Sequence, residues 1–138
     1  MHAFKLIGAA LLLGIASVSQ AQTAGEAHDP AAKVTPLMTR DLPEFPGKQA
    51  LMLKVEYAPG GASAIHRHDA HVLVYVIEGD LVMGVKGGKE TTIRAGETFS
   101  EQPGDIHTVS RNPSTTKPAK FIAFFLKDKD KPPVIPVE

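Results

Sequence analysis

From about residue 47 onward, short apolar and β-branched runs are broken at intervals by Gly, Pro and Asn, a pattern that predicts an all-β barrel or sandwich. Leu51, Leu53, Val55 and Tyr57 alternate with Met52, Lys54 and Glu56, which is the two-residue period of a strand with one buried face. Pro59-Gly60-Gly61 ends that strand. Val72 to Ile77 is apolar on both faces, Glu78-Gly79-Asp80 turns the chain tightly, and Leu81 to Val85 returns. Gly87-Gly88 predicts a hairpin, and Thr91 to Arg94, Thr98 to Ser100 and Ile106 to Ser110 give three short strands separated by Ala95-Gly96 and Pro103-Gly104. Phe121 to Leu126 leaves no polar face, so this last strand should be covered on both sides. A lone barrel covers one side. A second copy, as a homodimer, or the residues before 47 would cover the other. No stretch carries a helical period.

The first residues change the picture of what the mature chain contains. Lys5 precedes an apolar run from Leu6 to Val18, and Ser19 and Ala21 follow it, which predicts a secretory signal peptide over residues 1–21. The run is short for a bilayer core of about 30 Å, so an uncleaved anchor is the rival and weaker reading. Residues 22–46 read as an irregular leader with one short strand near Val34 to Met38, residues 47–128 as the barrel, and residues 129–138 as a polar, then proline-rich tail that could add an edge segment. The expected location is periplasmic or secreted, with no membrane association after signal cleavage.

Composition narrows the partners. Fifteen basic residues balance fifteen acidic ones, and no Lys/Arg stripe is available to neutralise phosphates, which argues against nucleic acid and leaves a small-molecule ligand or substrate. Cysteine is absent, so thiolate chemistry is excluded and packing, metal or association must supply the stability that disulfides give many small exported domains.

His2 lies in the signal peptide and His28 in the leader, which leaves His66, His68, His71 and His107. His66 and His68 are two apart, so on an extended strand both rings face the same way, as two imidazoles on one metal must. His107 follows Pro103-Gly104, where a hairpin could bring it opposite that pair. The order Gly60, five residues, His66, one residue, His68 and then Gly79 resembles the first motif of the cupins. Gly96, then Pro103-Gly104, two residues, His107 and Asn112 resembles the second, with one extra residue before the proline and one before the asparagine.

The resemblance implies a double-stranded β-helix, or jelly-roll, barrel with His66, His68 and His107 on a divalent ion, for which Fe, Mn, Ni and Zn all remain open. The family's usual fourth ligand is a glutamate in the first motif, and Val72 and Leu73 stand where it should be. His71, one position short of Val72, and Glu101, just before Pro103, are the candidates to complete the site. Glu101 could instead serve as a catalytic acid/base or as a hydrogen-bond partner of a ligand. Three neutral imidazoles would leave the ion its full charge and favour anionic chelating ligands such as enolates, catecholates or carboxylates. Tyr75, Met83, Phe99 and Phe124 are candidates to line the cavity, although apolar strand residues more often belong to ordinary core. The glycines of the two motifs and Asn112-Pro113 read as turn formers. Three functions follow: a metal-dependent oxidoreductase of dioxygenase type, or an isomerase, on a small oxygenated anionic compound; a non-catalytic barrel that binds or senses a small molecule or metal; or a barrel in which metal serves stability alone.

Overall fold

A computed structural model describes residues 32–138, so the signal peptide expected over 1–21 and the first part of the expected leader lie outside the described residues. Ten strands follow one another: β1 (Ala32–Asp41), β2 (Lys48–Tyr57), β3 (His66–Arg67), β4 (Ala70–Glu78), β5 (Asp80–Val85), β6 (Thr91–Arg94), β7 (Thr98–Glu101), β8 (Ile106–Arg111), β9 (Ala119–Asp128) and β10 (Ile135–Pro136). They form two antiparallel five-stranded sheets, in the orders β1-β2-β9-β4-β7 and β10-β3-β8-β5-β6. The chain crosses between sheets repeatedly, which is the jelly-roll arrangement.

The period-two pattern decides which side chains meet between the sheets. Leu51, Leu53, Val55 and Tyr57 of β2 are buried, as are Val72, Val74 and Val76 of β4 and Phe121, Ala123 and Phe125 of β9. Leu81 and Met83 of β5 and Ile93 of β6 close the core from the second sheet. Burying a Leu or Phe side chain of this kind contributes about 1.5–3 kcal/mol, and with no cysteine in the chain such packing carries the fold.

One boundary differs from the sequence reading. The short strand expected near residues 34–38 is a ten-residue strand, β1, which pairs along the whole of β2 across one register shift between Pro36 and Met38. Its polar residues hid it, because an edge strand that buries only Ala32 shows little alternation. The proline-rich tail supplies the two-residue β10 at the edge of the second sheet, where Pro136 needs no ladder donor.

Asn112 is a structural residue, as its place before Pro113 implies. Its side chain donates to the carbonyls of Ala58 and Lys117 at 3.1 and 2.7 Å and accepts from the Ser114 amide at 2.9 Å. Gly104 adopts a φ of 84°, a conformation that costs a glycine little. Its amide then reaches the His68 carbonyl at 2.8 Å and ties the β7–β8 turn to the loop after β3.

Candidate metal centre

The strand registers bring four polar side chains together in the interior. His66 and His107 are direct cross-strand partners in the β3–β8 pair, so both rings leave the second sheet on its inner face. His68 sits in the short connection between β3 and β4. Glu101 ends β7 in the opposite sheet, with the inward parity it shares with Phe99. Relative exposures of 9% for His66, 5% for His68, 3% for His107 and 3% for Glu101 place all four within the barrel.

Glu101 lies directly opposite the position where the first motif lacks its carboxylate. Val72 and Glu101 pair directly in the β4–β7 ladder, and both face inward. Directly opposed residues hold their Cβ atoms about 4.5–5.5 Å apart, so a carboxylate on β7 can reach the space that a glutamate at position 72 would fill. His71 does not join the cluster. β4 begins at Ala70, which is buried, so alternation turns residues 70, 72, 74 and 76 inward and sends His71 to solvent. The same parity places Tyr75 outside, at 49% exposure, and makes Phe125 the inward neighbour of the site in place of Phe124. Met83 is core, and Arg67 points away and pairs with Asp69.

The hydrogen bonds fix which imidazole nitrogens face inward. His66 Nδ1 lies 2.7 Å from the Ala64 carbonyl and His68 Nδ1 bonds the Pro133 carbonyl. A carbonyl only accepts, so each Nδ1 carries the proton and each Nε2 keeps its lone pair. Burial, the largest influence, holds both His66 and His68 below the ordinary imidazole range, so both are neutral near neutral pH. Glu101 Oε2 stands 2.9 Å from His107 Nε2 and 3.4 Å from His68 Nε2. Yet Glu101 Oε2 and both nitrogens of His107 make no aligned hydrogen bond and are closed to solvent. Phe99 and Phe125 meet the rings of His107 and His68 nearly edge-on, with centroids 5.9 and 5.2 Å apart, and seal the apolar side.

A buried carboxylate oxygen with no aligned donor is costly unless a cation lies beside it. Donors at right angles on an ion, each about 2.1 Å away, stand roughly 3.0 Å apart, close to the two separations at Glu101. The arrangement is not a finished cage. Among the described residues, no three or more His, Asp or Glu side chains stand in ready-made ligand geometry, so binding calls for the side chains to rearrange. In chemistry and in its unsatisfied atoms, the set of three imidazoles and one carboxylate fits a divalent ion.

A β-barrel of two packed sheets with a buried His and carboxylate cluster defines a class of protein, and comparison with known proteins places the chain within it. Residues 53–125 match the family model of the cupin domain, and the chain belongs to that family. Oxalate oxidase 1 of Hordeum vulgare is 35% identical over 78 residues, a match covering 49% of this chain and 39% of the barley protein. Germin-like protein 3-5 of Oryza sativa subsp. japonica is 36% identical over 78 residues, covering 49% of this chain and 34% of the rice protein. The matches thus span well under two-thirds of those curated relatives. Among solved structures, an oxalate oxidase in complex with the substrate analogue glycolate is 29% identical, with a TM-score of 0.60 over 86% of this chain and 62% of that one. An RmlC-like cupin from Shewanella frigidimarina is 20% identical, with a TM-score of 0.59 over 76% of this chain and 83% of that one, a likeness of fold.

The aromatic contacts of Phe125 and the carbonyls of Ala64 and Pro133 were not singled out by the sequence. Phe125 was hidden because Phe121 to Leu126 has no polar face to tell inward from outward positions. The carbonyls were hidden because every residue has one.

Proposed function

We propose that this chain is an exported, divalent-metal-binding cupin of oxidoreductase type that acts on a small oxygenated anion in the periplasm or outside the cell. The observation that carries the reading is the buried, unsatisfied meeting of Glu101 Oε2 with His107 Nε2 beneath His66 and His68. The sequence similarity to oxalate oxidases supports the reaction class.

His66, His68, His107 and Glu101 would hold the ion, and a redox-active ion bound there would supply the electron transfer and most of the local positive charge. Three neutral imidazoles and one carboxylate leave a divalent centre with a net single positive charge, which favours a carboxylate or enolate over a neutral ligand. The mixed nitrogen and oxygen donor set suits iron, manganese, nickel or zinc. Phe99 and Phe125 pack against the rings of His107 and His68 and would exclude water from that side. Glu101 is the one carboxylate of the cluster, so any proton held by a carboxylate at the site would be held there.

Elemental analysis joined to an oxygen-uptake screen tests this reading. The expected result is near-stoichiometric iron or manganese, with oxygen consumption that depends on an added small carboxylate or enolate. Metal with saturable anion binding but no uptake would contradict the oxidoreductase assignment and favour a non-catalytic binding barrel.

The outer face of the first sheet bears on assembly. Met38, Met52, Phe124 and Leu73 form one cross-strand row, and Leu73, Tyr75 and Leu126 are 51, 49 and 41% exposed. A second copy packed over this face is part of the reading. Light scattering should give twice the chain mass, and Leu73→Lys should halve it. A monomeric mass for the unaltered protein would remove the dimer.

A further inference from the structure

His68 differs from the other two histidines in how its ring is held. His66 and His107 sit on paired strands, and His66 bonds a carbonyl only two residues away. His68 lies in the gap between β3 and β4, and its Nδ1 partner, the Pro133 carbonyl, is 65 residues further along the chain. That carbonyl belongs to the segment after β9, beyond the stretch that matches the cupin domain.

This segment is built as a strap. At its root, the ammonium of the buried Lys127 donates to the carbonyls of Asp128 at 2.7 Å and Lys129 at 3.3 Å, while the Lys129 amide reaches the Gly47 carbonyl at 3.0 Å. Pro132 and Pro133 then fix their own φ and lower the entropy lost on ordering. Pro133, Ile135 and Val137 are half-buried and alternate with the exposed Pro132, Val134 and Pro136, so one side of the strap lies against the barrel. At its far end Ile135 pairs with Arg67 and Pro136 with His66, and the Val137 amide reaches the Ile65 carbonyl at 3.3 Å. The strap is thus anchored on both sides of Pro133.

We infer that the 129–138 strap positions His68 for metal binding, its Pro133 carbonyl holding the imidazole as the Nδ1–H tautomer with the Nε2 lone pair turned toward Glu101. The inference rests on the metal-binding reading above. A neutral imidazole has one N–H. Without the strap, that proton is better placed on Nε2, 3.4 Å from a buried carboxylate that would accept it strongly. In such a bond Nε2–H would donate to a Glu101 oxygen, and both atoms would be lost to an ion. The strap removes this competitor by offering Nδ1–H a fixed acceptor, the role that outer carbonyls play for metal-bound histidines in general. Pro133 is therefore a positioning residue acting through its backbone.

The test compares the full chain with one ending at Asp130 and with a Pro132→Gly/Pro133→Gly variant that keeps the β10 residues. Long-range proton–nitrogen NMR on the metal-free proteins reads the tautomer of each histidine, and zinc titration reads affinity. His68 should carry its proton on Nδ1 in the full chain and shift toward Nε2 in the shortened one, with zinc binding about 10- to 100-fold weaker, while His66 is unchanged. If the shortened chain does not fold, the double glycine variant decides: a mixed His68 tautomer with weaker zinc binding supports the strap. A full chain with His68 protonated on Nε2 overturns the inference. So do altered proteins that keep the Nδ1–H tautomer and bind zinc within twofold of the full chain. A full chain with the expected tautomer but no zinc uptake refutes the metal-binding reading and leaves the strap's bond to His68 standing.

Discussion

Replacing His107 with alanine should abolish stoichiometric metal binding while leaving the barrel folded. His107 contributes its ring, not its backbone, to the centre, since β8 is held by its ladders to β3 and β5. Losing one imidazole from a four-donor set should weaken binding by more than the roughly 10- to 100-fold typical of losing an outer partner. The change also removes two buried nitrogens that lack hydrogen bonds, so the metal-free variant should melt no lower than a simple cavity would dictate. His71→Ala is the matched control, because that ring is exposed on the opposite face of β4. Calorimetric titration with zinc or manganese checks both. Unchanged binding in His107→Ala would remove the site, and loss in His71→Ala would show that the parity of β4 is wrong.

The second large effect concerns the carboxylate. Glu101→Ala should weaken metal binding at least tenfold, by analogy with the cost of outer-partner loss as a lower bound. Metal-free stability should not fall by the amount expected of a removed ion pair, because the carboxylate is buried without aligned partners. Adding Val72→Glu to Glu101→Ala should restore much of the affinity, since the two positions are paired across β4 and β7 and share the inner face. Alanine at 101 also frees space for the longer side chain beside Phe99. If the double variant binds no better than Glu101→Ala alone, the carboxylate does not act from this position.

The barrel was legible because alternation is a local property: Leu51, Leu53, Val55 and Tyr57 announce their buried face without reference to any other strand. The turn glycines were legible for the same reason, and Gly60, Gly79, Gly96 and Gly104 all adopt positive φ. The histidine cluster could be read from spacing together with the resemblance to cupins. What completes the cluster could not, because the choice between His71 and Glu101 turns on two non-local facts. One is that β4 begins at Ala70, which sets the parity of residue 71, and the other is the register that lays Glu101 opposite Val72. A one-residue slip in either would reverse the outcome. The bond from His68 to Pro133 was invisible in principle, since a backbone carbonyl carries no residue-type signal. Tyr75 and Phe124 are cavity candidates by residue type, and because their strands are apolar on both faces only the fold shows that they turn outward.

The central claim is that His66, His68, His107 and Glu101 bind one divalent ion together. Anomalous diffraction from crystals of the metal-loaded protein, collected at the absorption edge of the metal found by elemental analysis, tests it most directly. The account predicts a single strong peak inside the barrel, within about 2.0–2.3 Å of the three Nε2 atoms and of a Glu101 oxygen. A peak elsewhere, or none within reach of these four side chains, would contradict it.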